Sequence, residues 1–361
     1  MAFDRSVDSV TGIDDGGRGP KAGSQGKVVR ALLLDYAERR LRLADRVPDP
    51  PDGEVCLRIL ECGICGTDRD LAAFAFGAPP ASETALILGH EAVAVVERST
   101  HPALRPGDYV VPSVRRSCPG FCASCSAGRR DLCMTEQYRE RGIFGLHGYC
   151  AEWAVDRAED LFPVPTKIVE VAVLVEPMSV VEKAYAMAIR LHWGEPKRVV
   201  ILGAGTVGIL AAWAGLQRGW KVTVVSLEPE ESVRGRLLRS AGVVYRNSLP
   251  GMVADVVIEA CGSAALASAA IGCLVPLGVM IVLGARNEVV PLPFLDLIVG
   301  NRILAGSVNA SPEDFGRAIA MLGATEPTWL EAMIERRPLS RAVESITSPL
   351  GNAIKVVHRL H

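Results

Sequence analysis

Arg198-Val-Val-Ile-Leu202 runs into Gly203-Ala-Gly205-Thr206-Val207-Gly208 and then into the helical stretch Ile209 to Gln217. An apolar strand, a glycine turn and a helix in that order make the site that a dinucleotide pyrophosphate requires. The first glycine permits the tight turn, the second lets the backbone approach the phosphates, and the third packs helix on strand. Amides at the helix N-terminus then face the anion. Outward from this turn, strands that are apolar throughout, Val222 to Val225, Asp255 to Ala260 and Val279 to Leu283, alternate with Ala/Leu/Met-rich helical stretches such as Val180 to Leu191. Such strands belong to a parallel sheet covered on both faces, so this half is read as a doubly wound α/β domain.

The strand after the turn ends at Val225-Ser226-Leu227-Glu228, with Glu230 and Glu231 beyond it. Ser226 stands where an acid is expected on a free ribose, which favours a 2′-phosphate, whereas the three glutamates would repel one. The balance leans slightly to NAD and leaves NADP open.

Upstream the texture is β-rich: Val28 to Leu34, Val55 to Leu60, Ala92 to Val96, Tyr109 to Val111 and Trp153 to Val155 are short apolar runs between Pro/Gly turns. Within this half, Cys118-Pro-Gly-Phe-Cys122-Ala-Ser-Cys125 and then Cys133 can close a tetrahedral thiolate site. That suits a structural zinc, with a disulfide cluster or an iron–sulfur site as alternatives. A closed site holds a loop and leaves no open position for chemistry. Cys62-Gly-Ile-Cys65-Gly-Thr67-Asp68-Arg69-Asp70 and Gly89-His90-Glu91 offer a thiolate and an imidazole on separate segments, a zinc set with room for an exchangeable ligand. Taken alone, Cys62 and Cys65 also read as a redox pair and His90 as a structural histidine.

A chain of 361 residues favours two domains, and 49% hydrophobic with 22% charged residues reads as soluble and globular. A net charge of −2 supplies no field for nucleic acid or an anionic membrane, so small molecules and copies of the chain itself are the expected partners. Residues 1–26 lack the apolar region of a signal peptide and read as a disordered tail. No apolar run reaches membrane length. A cytoplasmic, reducing compartment is expected, with the cysteines as thiols or ligands.

The succession CGxCGTD, GHE, four-cysteine lobe and GxGxxG resembles the zinc-dependent medium-chain dehydrogenase/reductase family. Val114-Arg115-Arg116, Glu140-Arg-Gly-Ile143, Leu146-His147-Gly148, Glu176-Pro-Met-Ser-Val-Val-Glu182-Lys183 and Gly306-Ser-Val-Asn309 are similar to its glucose dehydrogenases of archaeal type. The likeness runs from Lys27 to His361. It implies a GroES-like β-barrel catalytic domain over 27–185 with a structural zinc lobe at about 115–135, a Rossmann domain over 186–310, and a segment over 311–361 that returns to the catalytic domain.

The same resemblance implies two zinc ions per chain. Cys65 and His90 match the catalytic ligands, Glu91 matches a carboxylate beside the metal, and Glu176 matches a ligand or near neighbour, while Cys118, Cys122, Cys125 and Cys133 match the structural set. From its sequence alone, Glu176 is a carboxylate at a helix start with Pro177 in the first turn. Cys62 falls outside the ligands and reads as a buried thiol. Glu140 and Asn309 match contacts to sugar or cofactor, Thr67 begins a proton path and Asp70 continues it, and Gly203, Gly205, Thr206, Val207, Gly208, Ser226, Glu228 and Asn309 surround NAD or NADP.

The implied function is a zinc-dependent oxidoreductase moving a hydride from a sugar, polyol or other secondary alcohol to NAD(P). A threonine/polyol-type or general alcohol dehydrogenase and a non-catalytic nucleotide-sensing zinc protein are the alternatives. Val114 replaces an Asn of some relatives, removing one sugar hydrogen bond. Three residues separate Cys118 from Cys122 where two are usual. A homodimer or homotetramer is expected, with Val279 to Leu283 pairing across subunits.

Overall fold

The computed structural model describes residues 29–46, 54–284, 289–324 and 328–361. The expected tail over 1–26, and Lys27 and Val28 after it, lie outside these residues.

Six parallel strands form one sheet, in the order Val244–Arg246, Lys221–Val225, Arg198–Leu202, Ala254–Glu259, Leu274–Val282, Ile303–Gly306. The order reverses between Arg198–Leu202 and Ala254–Glu259, which opens a crevice at their carboxyl ends. Alternate side chains go to opposite faces. Val199, Ile201, Val256, Ile258, Val279 and Ile281 join a core with the helices Val175–Leu191 and Thr206–Gln217, while Val200, Leu202, Val257 and Met280 pack with Ala270 and Ile271 on the other side. Burial on both faces is why these strands carry no polar alternation.

Leu274–Val282 is hydrogen-bonded to Ala254–Glu259 on one side and Ile303–Gly306 on the other. The expected pairing of Val279 to Leu283 across subunits is therefore corrected: that run is apolar because it is interior. Among the described residues the sheet ends at Ile303–Gly306 on that side and at Val244–Arg246 on the other.

The first half holds a seven-stranded sheet, ordered Leu161–Pro163, Tyr109–Pro112, Glu91–Ser99, Val55–Ile64, Lys355–Arg359, Ile334–Pro338, with Trp153–Asp156 also paired to Val55–Ile64. A three-stranded sheet, Arg40–Arg46, Val29–Asp35, Ala85–Ile87, closes over a core that includes Leu32, Leu34, Leu57, Ile59, Leu86 and Leu88. Two of the seven strands come from beyond the parallel sheet, and Lys355–Arg359 pairs antiparallel with Val55–Ile64. The helix Val175–Leu191 runs through the division expected at 185/186. Its body packs on the helices Pro312–Leu322 and Thr206–Gln217, and its first turn reaches the first sheet, so one helix serves both halves.

Candidate metal centre and dinucleotide cleft

Cys65 ends the strand Val55–Ile64 and caps the helix Gly66–Ala72, and His90 immediately precedes the strand Glu91–Ser99. Because these two strands are neighbours, Cys65 Sγ and His90 Nε2 come within 3.1 Å. Asp68, fully buried, accepts the Cys65 backbone N–H at 2.9 Å through Oδ2, and its Oδ1 stands 3.6 Å from His90 Nδ1. A carboxylate behind the imidazole is the arrangement that fixes the tautomer of a metal-bound histidine. Donor atoms of Cys65, Asp68 and His90 lie within 4.8 Å of one another, and Asp68 Oδ1 and His90 Nδ1 have no hydrogen-bond partner. A thiolate meeting one imidazole nitrogen, with a buried carboxylate at the other, suits zinc.

Two more carboxylates surround the cluster. Glu91 is ion-paired with buried Lys355, which also donates to Ile64 O at 3.0 Å. Gly63 leaves the space, since a Cβ there would meet Glu91 Oε2 and Lys355 Cε. Glu176, in the first turn of Val175–Leu191, is pushed up to about 7 by burial and by the neighbouring Glu91 charge. Burial works against a charged His90, yet the Cys65 and Asp68 charges outweigh it and hold its pKa well above the usual imidazole value. The family resemblance implied Glu91 and Glu176 beside the metal, and both lie near the cluster without joining its three donors; Asp68 and Lys355 were not assigned from the sequence. Lys355 has a signal in hindsight, a lone cation in the apolar run Ala353 to Val357. Thr67 is half-buried on the Gly66–Ala72 helix, whereas Asp70 is exposed to solvent, and the buried acid of that turn is Asp68.

The four lobe cysteines form a second cluster with all four sulfurs within 4.8 Å. Cys122 Sγ and Cys133 Sγ stand 3.9 Å apart, well beyond a disulfide bond of about 2 Å, and all four are free thiols. Backbone N–H groups of Cys125 and Met134 lower the Cys122 thiol to about 6, and burial pushes Cys125 up to about 12. The extra residue of the Cys118 to Cys122 spacing is absorbed at Phe121, which takes a φ of 44°. Asp131, between Cys125 and Cys133 in the chain, accepts from Lys183 Nζ at 2.8 Å. Lys183 also donates to Val308 O at 2.8 Å. Glu140 joins the same region: its Oε1 accepts from Arg115 Nε at 3.0 Å and from Asn309 Nδ2 at 2.7 Å. The paired Glu140 and Asn309 thus meet across the boundary between the two sheets. His147 is anchored away from them, to Glu83 at 2.8 Å.

At the glycine turn, Gly203 has a φ of 105° and its Cβ would fall 2.8 Å from Cys261 Cβ. A Cβ on Gly208 would run into Gly203 O, whereas one on Gly205 would meet nothing within 4 Å, which leaves that face open to a ligand. Val207 is partly buried against the core. Thr206 Oγ1 donates to Ile354 O at 3.0 Å. Glu228 is held by Arg234 at 2.8 Å and Glu230 by Arg239 at 3.6 Å, while the Ser226 N–H donates to the carbonyl of Arg246 on the adjacent strand. Two of the three glutamates set against a 2′-phosphate are therefore each paired with an arginine.

Residues 51–166 match the family described as Alcohol dehydrogenase GroES-like domain, and residues 169–360 match Glucose dehydrogenase C-terminus. The Glucose 1-dehydrogenase of Methanocella arvoryzae is 38% identical over 315 residues, 80% of this chain and 87% of that protein. Glucose 1-dehydrogenase 1 of Vulcanisaeta moutnovskia is 39% identical over 290 residues, covering 76% and 82%. Among solved structures, Haloferax mediterranei glucose dehydrogenase in complex with NADP, Zn and gluconolactone superposes with a TM-score of 0.84 at 27% identity, over 91% of this chain and 99% of that one. With both matched segments continuous across the two sheets and both cysteine-bearing sites in place, the chain belongs to the glucose dehydrogenase branch of the zinc-dependent medium-chain dehydrogenase/reductase family.

Proposed function

We propose that this chain oxidises an aldose at its anomeric carbon, the hydride passing to a nicotinamide dinucleotide and one proton leaving the anomeric hydroxyl. The carrying observation is the pair Ile354 and Lys355: Ile354 O receives Thr206 of the glycine turn, and the next residue reaches Glu91 and Ile64 O beside the metal cluster. Cofactor turn and metal cluster are thereby adjacent. Cys65 and His90 would hold the catalytic metal, with Glu176 and Glu91 beside them, and Cys118, Cys122, Cys125 and Cys133 the structural one. Bound zinc supplies a Lewis acid that lowers the pKa of an oxygen it holds. Asp68 orients His90, Lys355 balances Glu91, and Thr67, next to Asp68 in the chain, would receive the hydroxyl proton. Asp70, exposed in the same helix, would pass that proton on to solvent, and an unchanged pH–rate profile in Asp70→Asn would remove it from the path. Glu140 and Asn309 would read sugar hydroxyls or the cofactor.

The relative bound to NADP and the arginine-paired glutamates near Ser226 support NADP as the better cofactor, in place of the lean to NAD. A panel of aldoses, polyols and simple alcohols with each cofactor, read by nicotinamide absorbance, tests the reading. Turnover of simple alcohols alone would refute it.

The domain division is retained as a proposal: catalytic 27–185, dinucleotide-binding 186–310 and returning segment 311–361, with the helix Val175–Leu191 shared. The edge strand Ile303–Gly306 and the exposed Phe294, Leu295, Ile298 and Val299, each at least 66% accessible, support a homodimer formed there. Light scattering of the wild type and of Ile298→Glu checks it, and a wild-type monomer at micromolar concentration would overturn it. No helix among the described residues is long and apolar enough to cross a membrane, and the ten unpaired cysteines support a reducing, cytoplasmic setting.

A further inference from the structure

Glu259 closes the strand Ala254–Glu259, at the place where the order of the parallel sheet reverses, and its side chain is buried. Its Oε1 accepts the backbone N–H groups of Cys261 at 2.8 Å and Gly262 at 2.6 Å, and its Oε2 accepts that of Gly284 at 3.0 Å. Those amides sit on two loops, which leave the sheet after neighbouring strands. The Glu259 carbonyl repeats the tie by accepting from Leu283 N at 2.9 Å. Gly262 has a φ of 71°, and a Cβ on Gly284 would overlap Gly262 N, so both loops are shaped to approach the carboxylate and each other. A cavity of about 170 Å³ opens beside them, with Glu259, Gly262, Ser263 and Gly284 in its lining.

Hydrogen bonds to an ionised acceptor are roughly twice as strong as neutral ones, so three of them on one carboxylate make a stiff clamp. Its location gives the clamp a purpose. In a sheet of this order the adenosine half of a dinucleotide lies over the strands on the glycine-turn side, and the nicotinamide half lies over the strands after the reversal. Cys261 also abuts Gly203 of the turn itself. We propose that Glu259 is a positioning residue: by tying the 261–262 loop to Gly284 it sets the width of the nicotinamide half of the cleft. The inference rests on the dinucleotide reading above.

Glu259→Gln keeps the shape but turns one acceptor into an NH₂ donor facing N–H donors, which frees one loop. In the full-length, metal-loaded enzyme, the dissociation constant for NADPH, read from its fluorescence, should rise about tenfold. The KM for the sugar should stay at its wild-type value, while the thermal midpoint falls modestly because a buried amide loses its acceptor. Gly284→Ala, whose Cβ would press on Gly262 N and on Glu259 Oε2 and so push the loops apart while keeping the carboxylate's charge, should give the same loss of NADPH affinity. Unchanged NADPH affinity in either variant would overturn the proposal, as would an affinity loss accompanied by an equal loss of sugar affinity. A wild-type enzyme that binds no dinucleotide would instead sink the functional reading, whereas binding that survives Glu259→Gln sinks only this one.

Discussion

Lys355 and Glu91 show what a single residue decides at this site. Both are almost fully buried. Burial disfavours a charged Lys355, but the Glu91 and Cys65 charges outweigh it and raise its pKa above the ordinary lysine value. Lys355→Met would leave Glu91 as a buried anion without its cation, at a cost of about 3–5 kcal/mol in urea unfolding, most of it recovered by adding Glu91→Gln. Lys355 escaped assignment because its partner lies far away in the chain, while His90 and Cys65 stood in motifs that name their chemistry. His358 carries the pH dependence in the opposite sense. Its Nδ1 bonds Pro338 O at 2.9 Å, its Nε2 is buried and unpaired, and burial lowers its pKa below the usual 6.5. A group held neutral in the fold contributes no penalty above the unfolded value and draws stability down as pH falls below it. His358 should therefore draw the thermal midpoint down between pH 7 and pH 5, so His358→Gln, compared with wild type across that window, should lose less on acidification.

Among the elements, the glycine turn was the most legible, because Gly203, Gly205 and Gly208 each answer a separate steric demand that spacing alone displays. Gly208→Ala forces a methyl into Gly203 O; overpacking of about 1–3 kcal/mol there should weaken NADPH binding by roughly tenfold or more. Fluorescence titration checks it, and full binding would show that the helix can shift. The strand Leu274–Val282 was misjudged for an equally physical reason. An interior parallel strand and a sticky edge strand are both apolar, and only the hydrogen-bonded neighbours on each side tell them apart. Similarly, the turn Gly66–Ala72 carries two aspartates, and helix phase rather than composition buries Asp68 and exposes Asp70.

For the whole molecule, the two cysteine-bearing sites divide their duties. Cys122→Ser should leave one tightly held zinc per chain in place of two and lower the thermal midpoint by roughly 5 °C or more, while kcat stays within about twofold of wild type. Metal analysis and calorimetry on one preparation would test both halves of that statement. The two-layer plan, a β half followed by an α/β half, was readable from texture. The links between the halves were not, since the Lys183–Val308 and Glu140–Asn309 contacts depend on how the halves dock. The return of Lys355–Arg359 to the side of Val55–Ile64 has a further consequence during synthesis on the ribosome. Lys355 Nζ bonds a carbonyl 291 residues earlier, so the nascent barrel waits, with an unpaired strand edge and Glu91 uncompensated, until the entire dinucleotide-binding half has emerged. Translation order thus delays completion of the metal site until Lys355 has emerged, and a stalled chain ending before Lys355 would carry a folded Rossmann sheet beside a catalytic half still unable to close.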